Sequence, residues 1–131
     1  MVALSPNATS PARVLVVGGM SGASGGVSAR VFAVPCSATT TPCATTTWDA
    51  TLPTALAFTQ VFAIDAASAF VVGDDVGGTT HAYRLAATSV SEVPFRVKRS
   101  HARAVRLPLG ASAAGPIAVV GGDTTVESFI P

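Results

Sequence analysis

The sequence predicts an all-β fold of consecutive four-stranded antiparallel units, and three observations carry that prediction. Glycine, proline and short Val-rich runs punctuate the chain throughout, as expected of many short strands joined by turns. A β-branched run closed by glycine recurs: Arg13-Val14-Leu15-Val16-Val17-Gly18-Gly19 is followed 55 residues later by Ala69-Phe70-Val71-Val72-Gly73-Asp74, and after a further 48 by Ile117-Ala118-Val119-Val120-Gly121-Gly122. At an offset of 103, Val2-Ala3-Leu4 falls on Val105-Arg106-Leu107, and Val16-Val17-Gly18-Gly19 falls without a gap on Val119-Val120-Gly121-Gly122. Periods near 50 residues mark repeat architectures.

Taken in order, the first unit supplies strands over about 2–5, 13–18, 29–34 and 46–51, and the second over about 58–64, 69–73, 79–85 and 89–96. The third supplies about 101–107, 116–121 and 124–130, with no fourth strand before Pro131. The middle unit keeps the order but shortens a connection, which is where repeats diverge most readily. Helical periodicity is absent, and Pro or Gly interrupts every window long enough for a good helix.

The 131 residues fit one domain or a piece of a larger one. Hydrophobic residues make up 49% and aromatics 6%, so the core is built from small and β-branched side chains. Charged residues at 11% lie far below the roughly 25% of average soluble domains. No run approaches the roughly 18 apolar residues of a spanning helix, and a net charge of +1 with high apolar content argues against disorder. Met1 to Thr9 shows neither a basic n-region nor an apolar h-region, so no signal peptide is visible.

Four short strands per unit, a period near 50 and a glycine doublet after the second strand resemble the kelch repeat of β-propellers, in which each repeat forms one blade. Arg99-Ser100-His101-Ala102, Leu107-Pro108 and Ala118-Val119-Val120-Gly121-Gly122 look like the form of the motif common in bacterial kelch-like proteins. The first unit offers Gly18-Gly19, Phe32 where the family has tyrosine, and Thr45-Thr46-Thr47-Trp48 before the outer strand. The second departs further: Gly73-Asp74 replaces the doublet, Tyr83 fits, and no tryptophan follows. The third stops after Phe129, at the tyrosine position. The resemblance implies one kelch-like propeller segment over 1–131, with units of about 1–54, 55–98 and 99–131. In it these glycines and aromatics, with Arg99 and His101, are structural: glycine permits tight turns and close approach, and the rings fill gaps between blades.

Cys36 and Cys43 are separated by six residues across a predicted hairpin, which allows a disulfide. Buried free thiols and a metal or redox site are the alternatives, although His81 and His101 do not complete a zinc spacing. A disulfide would imply an oxidising compartment, hence an extracellular or cell-envelope location.

Arg96, Lys98, Arg99, Arg103 and Arg106 are five of the eight basic residues, crowded around His101. With no interleaved aromatics for base stacking, a nucleic-acid partner is not expected. Solvent- or channel-facing strand positions are the plainer reading, leaving Arg96, Lys98, Arg103 and Arg106 as possible ligand-facing residues. Asp74, Asp75 and Asp123 follow the glycine turns and would lie at one end of the fold; they lack calcium-loop spacing and read as solvated turn residues.

No catalytic constellation emerges. Neither histidine has a nucleophile at a signature spacing, and Gly-x-Ser-x-Gly is absent. Kelch-related oxidases use a copper site with tyrosines, and Tyr83 is the one tyrosine here. Asn7-Ala8-Thr9 matches a glycosylation sequon, but Ala- and Arg-rich usage with a single lysine suggests a GC-rich bacterial source, where it is usually meaningless. Two functions stay open: a non-enzymatic scaffold whose loops bind a protein or glycan without a cofactor, or part of a propeller enzyme whose catalytic residues lie outside this chain. Since closed propellers have typically four to eight blades, further blades are expected from a parent chain or from other copies.

Overall fold

The computed structural model describes residues 1–4, 13–21, 26–35, 46–109 and 115–130. Eleven strands run through them: β1 (Val2–Leu4), β2 (Arg13–Val17), β3 (Met20–Ser21), β4 (Gly26–Pro35), β5 (Thr46–Ala63), β6 (Ser68–Asp74), β7 (Thr80–Ala86), β8 (Ser89–Glu92), β9 (Arg103–Arg106), β10 (Ile117–Val120) and β11 (Glu127–Phe129). The chain is therefore all-β among the described residues, every strand pair is antiparallel, and no helix is long and apolar enough to cross a membrane. Cys36, Cys43, Ser5 and the Asn7 sequon lie outside the described residues.

A curled eight-stranded sheet holds β1-β2-β4-β5-β6-β7-β8 in order, with the short β3 beside β4; a second sheet holds β11-β10-β9. The expected fourth strand of unit one and first strand of unit two are one continuous strand, β5. No glycine falls between Thr46 and Ala63, and the pairing of β5 with both neighbours is irregular. Arg30 sits opposite Thr51 and Ser28 opposite Leu56, so 52–55, which include Pro53, are accommodated as a bulge.

The 103-residue register survives in three dimensions. Val2 pairs with Leu15 and Ala3 with Val14, as Val105 pairs with Ala118 and Arg106 with Ile117. Packing then separates two faces. Leu15 and Val17, with Leu4 and Trp48, pack on Ala69, Val71, Tyr83 and Leu85. From the opposite face of unit two, Phe70, Val72 and Ala82 pack on Ala102, Ala104, Ile117 and Val119. All seven residues of β6 are buried as a result, alternate side chains serving alternate neighbours. Burying a Leu or Val in this way stabilises by about 1.5–3 kcal/mol per side chain.

In units one and two, the backbone leaving the second strand touches the segment entering the next unit. Gly19 N donates to Leu56 O at 2.9 Å, and Thr80 N donates to Arg99 O at 2.9 Å. Gly18 is required at the first of these contacts: its φ is +64°, and a Cβ there would stand 2.7 Å from both Leu56 O and Thr59 Cγ2. In unit two the turn is displaced. β6 runs straight through Gly73 and Asp74, and the left-handed glycine is Gly78, within Asp75-Val76-Gly77-Gly78. The reversal is built by Asp75, whose Oδ1 accepts from the Gly77 and Thr79 amides at 2.8 and 2.9 Å.

Candidate functional site

Two non-glycine residues among those described have a left-handed backbone, Phe58 at φ 51° and His101 at φ 53°. They occupy equivalent repeat positions, each two residues before the one paired with the last valine of a second strand: Gln60 opposite Val72, Arg103 opposite Val120. Their recurrence marks a kink by which the chain enters the first strand of a unit. Both lie around one buried carboxylate.

That carboxylate is Asp74, 2% exposed at the end of β6. Its Oδ1 accepts from Thr80 Oγ1 at 2.7 Å, and its Oδ2 accepts from Arg103 Nη1 at 3.1 Å and lies 3.5 Å from His101 Nδ1. Thr80 Oγ1 in turn accepts from Ala102 N at 3.0 Å, so the hydroxyl is used in both directions. The Arg103 guanidinium lies 5.8 Å from the Phe58 ring centroid. The inner members are fixed while the outer ones face water: the Phe58 residue is 65% exposed, and the side chains of His101 and Arg103 are 72% and 48% exposed. The result is an aromatic ring, an imidazole and a guanidinium at the surface, held by a buried acid. Asp74 is thus an ion-pairing residue inside a strand rather than a solvated turn residue, because β6 extends past Gly73.

The remaining basic residues are dispersed. Arg106 Nη2 donates to Ala63 O, with its guanidinium 5.9 Å from the Phe62 ring centroid, and its buried Nε has no partner among the described residues. Arg99 is fully buried: Nη1 donates to Gly121 O at 3.0 Å and Thr125 O at 2.9 Å, Nη2 to Thr125 Oγ1 at 2.9 Å, and Nε to Glu127 Oε1 at 3.3 Å. Burial works to raise the Glu127 carboxyl, but the Arg96 and Val97 amides and Arg99 outweigh it and hold it below the usual range. Arg96 and Lys98 are exposed, Arg96 lining an open groove of about 560 Å³ with Val97, Glu127 and Phe129.

Trp48 and Tyr83 are buried in the cluster between units one and two. Tyr83 sits opposite Val71 and Phe32 opposite Val16, whereas Phe129 sits opposite Ile117, two pairs along, and Glu127 takes the corresponding place opposite Val119. Gly121 and Gly122 have φ of +90° and +68° at the turn after β10. Asp123 accepts from the Thr125 hydroxyl and amide, and these bonds, the hydroxyl's foremost, hold its carboxyl below the usual range. Asp75 faces His81 Nε2 at 3.2 Å, and Glu92 stands 3.6 Å from His81 Nδ1.

Gln60 was not visible as special in the sequence. Its amide donates to Ala104 O at 2.9 Å and accepts from Ala104 N at 2.6 Å, imitating a strand pair between units two and three. Thr59 does similar work on the other side, donating to Val17 O at 2.6 Å. Such side-chain-to-backbone bonds have no local spacing; only the stacking of the units reveals them.

Among the described residues neither histidine hydrogen-bonds a Ser, Thr or Cys, and no group of three or more His, Cys, Asp or Glu side chains is placed to hold a metal ion. The arrangement can present a cation and an aromatic face; it assembles no nucleophile and base. In comparisons with protein-family models, curated proteins and solved structures, no match to this chain was found.

Proposed function

We propose that the chain is a segment of a kelch-type β-propeller, each unit a blade, acting as a non-enzymatic scaffold that binds a protein or glycan. The observation that supports this most is the surface held by Asp74, where Phe58, His101 and Arg103 are exposed together at the junction of units two and three. An exposed ring beside a guanidinium is suited to stacking on a sugar face or an apolar side chain, with the guanidinium donating to a carboxylate or hydroxyl partner. Its parts come from β6 and the entry segments of two units, so its shape depends on the units being stacked.

Glycan-array screening and affinity capture with the purified chain test this, followed by titration of the best ligand. Phe58→Ala and Arg103→Ala should each weaken binding about tenfold or more, the size expected of central interface residues. Binding that both variants leave unchanged would remove this surface from consideration, and turnover of any substrate by the chain would replace a scaffold with an enzyme. In the same reading Cys36 and Cys43 form a disulfide in an oxidising compartment. Mass measurement with and without reduction before alkylation should show two alkylated thiols after reduction and none without it.

A further inference from the structure

Unit three repeats unit one over its first two strands, yet outer positions of one face are buried in unit one and exposed in unit three, while Ala118 between them is buried like its counterpart Leu15. Leu4 is 1% exposed and its counterpart Leu107 is 40%; Val17 is 3% exposed and its counterpart Val120 is 39%. The difference lies in whether another unit packs on that face. Leu4 and Val17 belong to the cluster that unit two completes, whereas Leu107, Val120 and the 49%-exposed Val105 belong to neither core cluster among the described residues. At the other end the relation is reversed. Ile117 and Val119 are turned onto unit two and are 0% exposed, while their counterparts Val14 and Val16 are half-buried and belong to neither core cluster.

We propose that the chain self-associates head to tail, the bare face of unit three in one copy packing on the Val14–Val16 face of unit one in the next. The chain carries both halves of the contact it already makes twice internally, so the occupant proposed for each face is a second copy of the chain. A net charge of +1 offers little long-range repulsion against this. Because the two patches differ, the interface is heterologous: it builds a ring if the rotation closes and a filament if it does not. The proposal rests on repeat equivalence and is independent of ligand binding at Phe58.

Sedimentation velocity and light scattering on the purified 131-residue chain, over about 1–100 μM, are expected to show concentration-dependent assembly. Val120→Glu and Val16→Glu should each reduce association at least tenfold. Mixing the two should restore a contact between one intact unit-three face and one intact unit-one face, stopping at pairs. A wild-type monomer throughout the range would overturn the proposal. So would assembly by Val16→Glu alone as strongly as wild type, since that requires a symmetric contact between unit-three faces. Circular dichroism identifies a variant that fails to fold; Val105→Glu then replaces Val120→Glu, and the wild-type measurement stands without either.

Discussion

The two junctions inside this chain solve one packing problem with opposite chemistry. Where unit one meets unit two, Leu56 fills the entry position and is 0% exposed, within the apolar cluster that also holds Leu15, Val17, Trp48 and Leu85. Where unit two meets unit three, the equivalent position is Arg99, also 0% exposed, whose guanidinium gathers acceptors from the turn after β10. Both residues offer their carbonyl to the preceding unit in the same way, Leu56 to Gly19 and Arg99 to Thr80. Backbone geometry is thus the constant, and the side chain is chosen by what surrounds it: an apolar cluster in one case, the carbonyls of an irregular turn in the other. The polar solution brings sensitivity to single deletions, because each buried acceptor it satisfies becomes costly once the donor is removed.

Replacing Arg99 should therefore have the largest effect. Arg99→Ala leaves Gly121 O, Thr125 O and the Glu127 carboxylate without their shared donor and is expected to cost about 3–5 kcal/mol, measured by urea unfolding. At the apolar junction the vulnerable point is steric. Gly18→Ala forces a Cβ against Leu56 O in a left-handed backbone and should cost about 2–4 kcal/mol. Gly19→Ala makes a useful control, since at φ +121° it keeps the backbone strain with nothing within 4 Å of the added carbon. A smaller loss, about 1–2 kcal/mol, is expected of Gln60→Ala, which removes the paired bonds to Ala104 and should loosen the polar junction alone. Amide exchange confined to β9 and its neighbours would confirm that localisation.

These two junctions also show what a sequence can carry. The recurrence of Val-Val-Gly was legible because strand, turn and packing face repeat together, and the paired residues of β1–β2 and β9–β10 keep that register. The middle turn was misplaced because Gly73-Asp74 resembles a turn dipeptide; Gly73 is needed instead for close approach, a Cβ there standing 2.9 Å from Thr59 Cγ2. The kinks at Phe58 and His101 carry no glycine and leave no local mark. Nor does the partnership of Asp74 with Arg103, which are 29 residues apart and meet only when β6 and β9 are stacked. The site was therefore harder to read than the fold: folding periodicity is written along the chain, whereas the cluster is written across it.

The smallest expected effect concerns acid. Hydrogen bonding with the Thr79 amide and His81 holds the Asp75 carboxyl below its ordinary value, and Glu127 is held low despite its burial. A carboxyl depressed in the folded state contributes stability that is complete above its unfolded pKa and fades as pH falls through the folded one. Unfolding midpoints should accordingly be steady near neutrality and decline below the ordinary carboxylate range. Arg99→Ala, which deprives Glu127 of its cation, should flatten that decline.

The double duty of β5 carries a consequence for how the molecule comes apart. Its early residues pair with β4 and its later ones with β6, so one hydrogen-bonded ladder runs from β1 to β8. Fraying cannot stop at the sequence boundary between units one and two without breaking a strand in its middle. The three strands of unit three meet that sheet through side chains, backbone bonds at the turn and the isolated Thr79–Ser100 bridge. Native-state exchange should therefore resolve two cooperative openings rather than three, with β9–β11 detaching first and the remaining strands opening as a single foldon.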